Sequence, residues 1–252
     1  MIRNWFGKTV WLVGASSGIG RALALQFAEL GAQLILTARR ESVLAELNDE
    51  LGGHHTVIAF DIADDSATQQ AVEAIQHRHG RIDVVICLAG AYEPSNIVDL
   101  DYETQRNVID TNLHGTLNVI RHVLPRLRDQ GKGLIAIYGS VAGYRGLPAG
   151  QPYSATKSAL INFAESLYLE EKKHNIDVKI INSGFVDTPL TKKNTFTMPM
   201  IISAEMAAQS VITGLGKRAF EIHFPKSFTY LMKVLGRLPN WLYFRIGRGI
   251  NS

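Results

Sequence analysis

The feature that most constrains this chain is the run KTVWLVGASSGIG at residues 8–20. Seven mostly apolar residues end in a glycine, and a turn of glycines and serines follows. Ile19, Leu23, Phe27 and Leu30 then recur at helical spacing as far as Gly31. A continuous apolar run reads as a buried strand, and the periodicity after it as a helix with a glycine stop. A buried strand that passes directly into a helix is the first half of a βαβ unit. Such units build a parallel sheet with helices on both faces.

The pattern then repeats. Strands are predicted at 32–38, 55–61, 82–90, 133–140, 176–184 and 219–224. Helices are predicted at 40–51, 66–80, from about Tyr102 to Asp129, and from Pro152 to His174. No repeat or long linker interrupts them. The expected fold is therefore α/β, a doubly wound, Rossmann-like parallel sheet of about seven strands, in one domain over residues 1–224. Residues 225–252 form a basic, apolar C-terminal extension. A length of 252 residues with 46% hydrophobic and 19% charged residues suits one large globular domain. The net charge of +3 is too mild to argue for nucleic acid, and no nucleic-acid partner is expected. The single cysteine, Cys87, has no internal partner, which predicts a reducing, cytoplasmic setting. The N-terminus lacks a signal peptide's apolar core and cleavage site, and no apolar run approaches the roughly 20 residues of a membrane span.

In doubly wound sheets, ligands sit at the carboxyl ends of the strands near the switch point. The unusual residue clusters fall there. GASSGIG, Gly14–Gly20, has glycines that admit a pyrophosphate close to the backbone, and it opens a helix whose N-terminus offers free N–H groups. Its spacing is GxxxGxG, and it lacks the lysine of a phosphate-binding P-loop. At the end of the second strand, where an acid would hold ribose hydroxyls, the chain has Arg39 and Arg40. A guanidinium grips a 2′-phosphate bidentately, which favours NADP(H) over NAD(H); an ordinary arginine pair at a helix start is the plainer reading. Asp61 ends the third strand within reach of an adenine amino group, and CLAG at 87–90 leaves room beside it. Ser140 closes the fifth strand, and Tyr153 and Lys157 follow one helical turn apart in PYSATKSAL. Asn112 in TNLHG is poor chemistry for mid-helix and marks a distortion that would release a backbone carbonyl to water. His77 and His79 do not share a helix face, and no metal site is expected.

Taken together, GASSGIG, Asp61, Ala89-Gly90, Asn112, Ser140 and YSATK give a chain that resembles the short-chain dehydrogenase/reductase family in its short, single-domain form. The resemblance spans about residues 7–224 and includes the placing of Ser140 thirteen positions before Tyr153. It implies an NADP(H)-dependent oxidoreductase that interconverts a carbonyl and a secondary alcohol. Its catalytic residues would be Asn112, Ser140, Tyr153 and Lys157. On the nucleotide side the cofactor would lie against Gly14, Ser16, Ser17, Gly18, Ile19, Gly20, Arg39, Asp61, Ile62, Ala89 and Gly90. On the nicotinamide side it would meet Tyr153, Lys157, Val186 and Thr188. Lys157 would also hold the ribose, and Asn112 would anchor a proton-supplying water. Three departures stand out. Val13 replaces the usual Thr, and Cys87-Leu88 replaces two Asn, which predicts an apolar contact between the first and fourth strands. Ser183-Gly184 replaces Pro-Gly and loosens the nicotinamide-side loop.

A free phenol titrates near 10, so the nearby ammonium is expected to favour the phenolate of Tyr153. Tyr153 would move the proton and Ser140 would position the carbonyl oxygen. The loop at 188–202 would cover the site, with Phe196, Met198, Met200 and Ile201 as an apolar lid and Lys192 and Lys193 free to meet an acid; simple packing of those apolar residues is equally open. The substrate is expected to be a small, apolar carbonyl or alcohol. Within enzymes, an epimerase or dehydratase usually needs a larger substrate domain. From another class, a non-catalytic NADP-binding redox sensor need not keep Ser140, Tyr153 and Lys157 together. A homodimer or homotetramer through the Tyr102 and Tyr153 helices is implied by the resemblance, with Leu160, Phe163 and Leu167 as apolar support. The tail has no acid among Lys226, Lys233, Arg237, Arg245 and Arg248 and many aromatic residues. Two short helices packed over the pocket or a partner subunit is the plainer reading; peripheral attachment to a membrane is the sharper one.

Overall fold

The computed structural model describes residues 4–250. Residues 1–3 and 251–252, and the side chain of Arg248 counted among the tail's basic groups, lie outside the described residues. The chain runs β1 (Thr9–Val13), α1 (Gly18–Glu29), β2 (Gln33–Ala38), α2 (Glu41–Glu50), β3 (Thr56–Ala59), α3 (Asp65–His79), β4 (Val84–Cys87) and α4 (Tyr102–Ile109). A π-helical turn, Asp110–His114, leads into α5 (Gly115–Asp129), β5 (Gly133–Tyr138), α6 (Tyr153–Glu171), β6 (Ile176–Ser183), α7 (Ala204–Leu215), β7 (Glu221–Phe224), α8 (Lys226–Arg237) and α9 (Asn240–Ile250).

All strand pairs are parallel, in the order β3-β2-β1-β4-β5-β6-β7. The order reverses between β1 and β4, which opens a crevice at their carboxyl ends. Successive strand residues point to opposite faces. Leu12, Leu34, Leu36 and Ile86 pack with Leu23, Phe27, Val211 and Leu215 on one side. Trp11, Val13, Ile35 and Val85 pack with Val119, Val123 and Leu160 on the other. Leu30, expected in the helical stripe, falls at the cap of α1 and is exposed.

The apolar contact between β1 and β4 is present. Val13 pairs with Cys87, both are buried in one core, and the Leu88 and Ala89 amides both donate to the Val13 carbonyl at 2.8 and 2.9 Å. Burial raises the Cys87 thiol to about 12, which keeps it protonated and inert. Ser183 is firmer than the loss of proline suggests. Its hydroxyl accepts from Tyr138 Oη at 2.6 Å, and the Gly184 amide donates to the Phe224 carbonyl at 2.7 Å.

The interface expectation loses its apolar support. Leu160 and Leu167 are buried in the core of their own chain, and Phe163 packs against that core. Residues spaced along one helix face look alike whether a sheet or a second copy covers them, and here the sheet does.

The tail forms two helices separated at Leu238-Pro239, with the inner face of α8 packed on the domain. Phe228 and Met232 are buried against Val141, Tyr144, Leu147 and Phe185. Arg145 donates from Nη1 to the Gly236 and Leu238 carbonyls, both at 3.0 Å, bonds Asn240, and lies over the Tyr243 ring at 4.4 Å. Among the described residues, no helix is long and apolar enough to cross a membrane.

Candidate active site

The glycine-rich turn has the shape its residues suggest. Gly14 has φ of +104°, and a Cβ there would lie 2.5 Å from the Ala89 amide nitrogen. A Cβ on Gly20 would lie 2.0 Å from the Gly14 carbonyl oxygen. A side chain at Gly14 would collide with the backbone after β4, and one at Gly20 with the backbone of the turn itself. Ser17, at the N-cap of α1, makes no capping hydrogen bond through its side chain, so the first-turn N–H groups are free to meet an anion. Thr188 packs over the same turn against Gly18.

At the end of β2, Arg40 Nη2 donates to Ser16 Oγ at 3.2 Å, which ties the arginine pair to the glycine turn. Arg39 is exposed and lies 3.7 Å from Asp61. Asp61 also accepts from the Ala63 amide at 3.0 Å. The sequence singled out Arg39; the contact of Arg40 with Ser16 is a tertiary one, between residues 24 apart, and neighbouring positions do not announce it.

Across the cleft, α6 presents Tyr153 and Lys157 toward the end of β5. Lys157 is 2% exposed, and its ammonium donates to the Tyr138 carbonyl at 2.8 Å. It sits 5.5 Å from the Tyr153 ring centroid and equally far from that of Tyr138. Burial pulls Lys157 down to about 7. The buried Ser140 hydroxyl accepts from the Ala142 amide at 3.1 Å, at the head of a short 3-10 turn, Val141–Gly143.

Here the expectation for Tyr153 is corrected. Burial pushes its phenol up to about 12, against the opposing pull of the hydrogen bond from Ser140. Tyr92 stacks edge-on against it at 4.9 Å and adds to the upward shift. A buried lysine that is only half charged near neutrality is too weak a counter-charge to outweigh desolvation. The protein alone thus holds a protonated phenol.

Asn112 differs from the other candidate catalytic and cofactor residues, all of which line one cleft of about 600 Å³. It is fully buried, and its side chain is spent on the backbone. Its Oδ1 accepts from the Ala91 amide at 2.7 Å, and its Nδ2 donates to the Ala91 carbonyl at 3.0 Å and to Thr156 Oγ1 at 3.2 Å. The helix distortion is present as the π-helical turn, but the Asn112 carbonyl already accepts from Thr116 Oγ1 at 2.8 Å. In this structure Asn112 joins the segment after β4 to α6.

The apolar end of the cleft brings together residues that sequence reading left apart. Leu147, Phe185, Phe196, Phe228 and Met232 come from the segment after β5, the segment after β6, the loop, and α8. Phe185 stacks between Phe196 at 5.7 Å and Phe228 at 5.4 Å. The covering loop is pinned through Tyr92, whose hydroxyl donates to Asn194 Oδ1 at 2.7 Å. Lys193, expected to be free for an acid, is taken by Glu93 at 2.6 Å and the Tyr92 carbonyl at 3.0 Å. No group of three or more potential metal ligands occurs among the described residues.

A crevice at the switch point of a doubly wound sheet, with a glycine cradle at one end and a serine, a phenol and an ammonium at the other, is that of a dinucleotide-dependent oxidoreductase. Comparison narrows the class. Residues 8–198 match the family model described as short chain dehydrogenase, and the chain belongs to that family of oxidoreductases, whose fold binds a nicotinamide cofactor. It is 32% identical over 239 residues to an uncharacterized oxidoreductase of Myxococcus xanthus, covering 94% of each chain. It is 30% identical over 189 residues to the 3-oxoacyl-acyl-carrier-protein reductase FabG of Escherichia coli, covering 75% of this chain and 78% of the relative. Among solved structures, a short chain dehydrogenase from Burkholderia cenocepacia in complex with NADP superposes with a TM-score of 0.84 at 23% identity, over 96% of this chain and 98% of the other.

Proposed function

We propose that this protein is an NADP(H)-dependent reductase or dehydrogenase that interconverts an apolar ketone or aldehyde with its alcohol. The convergence of Ser140, Tyr153 and Lys157 on one wall of the cleft carries the reading, because these residues hold the elements of a proton transfer to oxygen. The glycine cradle, the uncapped start of α1 and the arginine pair fit the cofactor. Gly14–Gly20 would receive the pyrophosphate, and Arg39 and Arg40 the 2′-phosphate, with Arg39 exchanging Asp61 for it. Lys157 would hold the nicotinamide ribose and Thr188 would cover the pyrophosphate.

When bound, the nicotinamide supplies or accepts the hydride. The chain's own residues handle the oxygen. Ser140 donates a hydrogen bond that orients the carbonyl, and Tyr153 passes its proton to the same oxygen. A phenol pushed up to about 12 is protonated at neutral pH, so the free site holds the proton that reduction of a carbonyl consumes. In the reverse direction a charged Lys157 lowers the cost of the phenolate. The apolar wall of Leu147, Phe185, Phe196, Phe228 and Met232 would receive the rest of the substrate and exclude water. The Escherichia coli relative is a 3-oxoacyl-acyl-carrier-protein reductase, and a 3-oxoacyl group likewise carries a ketone.

The test is to follow NADPH absorbance with a panel of aryl and alkyl ketones and aldehydes, using wild type and Tyr153→Phe. Turnover in wild type that Tyr153→Phe abolishes, with NADPH binding retained, is expected. Turnover retained by Tyr153→Phe would remove the proton-transfer role.

A further inference from the structure

The tail helices carry apolar residues on both faces, and the domain uses only one. On α8, Phe228, Thr229 and Met232 turn inward. Tyr230, Leu231 and Val234 point outward and are more than half exposed, at 57%, 51% and 61%. On α9, Trp241 and Phe244 are exposed as well. Solvent-facing aromatic and aliphatic side chains clustered on two short consecutive helices need a partner.

The charges indicate its kind. Lys226, Arg237 and Arg245 are exposed, and none forms an ion pair among the described residues. Lys233 is different: it turns inward onto Glu221. Residues 225–252 contain no acid. A two-fold contact of this face with its own copy would set those cations against each other with no carboxylate on the tail to receive them. The complementary surface is therefore anionic outside and apolar beneath.

We propose that the outward face of α8 and α9 docks on an anionic lipid surface. Trp241, Tyr230 and Phe244 lie at headgroup depth, Leu231 and Val234 sink below them, and Lys226, Arg237 and Arg245 meet the lipid phosphates. The docked face adjoins the covering loop. Ser227, at the start of α8, touches Met200 Sδ at 3.2 Å, and Phe196, Met200 and Ile201 on that loop are exposed. Docking thus brings the loop and its apolar cleft beside the bilayer, a source of apolar carbonyl substrates. The attachment stands apart from the reaction, so its failure leaves the reading of the catalytic site untouched.

The experiment is co-sedimentation of the full chain with phosphatidylcholine vesicles, with and without phosphatidylserine. It compares wild type, the charge-reversal variant Arg237→Glu/Arg245→Glu, and the apolar variant Leu231→Asp/Trp241→Ser. These positions are exposed, and circular dichroism checks that each variant is folded. Binding to phosphatidylserine vesicles alone is expected. Charge reversal weakens it at least about twentyfold, from about fivefold for each basic residue near the surface. The apolar variant also binds less, and added salt weakens wild-type binding. Four outcomes would overturn the proposal: no sedimentation with anionic vesicles, equal binding to both lipid types, unchanged binding by the charge-reversal variant, or a dimer in light scattering that Leu231→Asp/Trp241→Ser converts to monomer without any vesicle binding. The last would assign the face to a second copy.

Discussion

Replacing Asn112 by alanine separates two roles for this residue, a staple for the backbone and a participant in proton supply. In the structure its side chain makes both polar contacts with Ala91, at 2.7 and 3.0 Å, and a third with Thr156 at 3.2 Å. Alanine leaves the Ala91 amide and carbonyl without those partners. Thr156 Oγ1 keeps its bond to the Tyr153 carbonyl at 2.7 Å, so it loses less. A buried polar group left unpaired costs about 1–3 kcal/mol. Ala91 is only partly buried, and water recovers part of that, so the sum falls at about 2–4 kcal/mol. For a chain this long, each kcal/mol shifts Tm by about 2–4 °C, and the total is an appreciable share of a typical stability of about 5–15 kcal/mol. Urea unfolding of wild type, Asn112→Ala and Asn112→Asp measures it. The aspartate keeps the shape but places an oxygen against the Ala91 carbonyl, so it too should lose at least about 2 kcal/mol. An alanine variant within about 0.5 kcal/mol of wild type, yet without turnover, would refute the staple and leave only a chemical role.

Tyr153→Phe should lower kcat by more than tenfold, a loss above about 1.4 kcal/mol, with the NADPH Kd close to wild type. Arg39→Ala should weaken NADPH by about ten- to hundredfold and NADH little, as titration of both cofactors will register; equal losses would mean that Arg39 does not read the 2′-phosphate. Lys157→Met should weaken the cofactor while changing the pH dependence of stability. Lys157 titrates near 7 when folded against 10.5 in the unfolded chain, so the cost of holding its charge in the core is full below about pH 7 and vanishes above about pH 10.5. The variant should therefore gain on wild type in denaturant titrations near pH 7, and that gain should shrink as pH rises toward 10.5; a pH-independent difference would contradict the depressed ammonium.

The strands, the glycine cradle and the shared helix face of Tyr153 and Lys157 were legible in the sequence because each depends on local rules. Apolar runs mark buried strands, Gly14 and Gly20 stand where any side chain would collide, and Tyr153 and Lys157 share a face through helical geometry alone. What the sequence could not decide is which groups meet across long separations. Leu160 and Leu167 were read as support for an interface between copies, and only packing assigned them to the chain's own core. Lys193 found Glu93 100 positions away, and Asn112 found Ala91 21 positions back. The phenol's proton affinity was misjudged for the same reason. One turn of helix fixes the distance from Tyr153 to Lys157, but their charge depends on how much water the whole fold removes, and burial raises the tyrosine while it lowers the lysine. Spacing along the chain determines geometry within an element; solvation and pairing belong to the assembled fold.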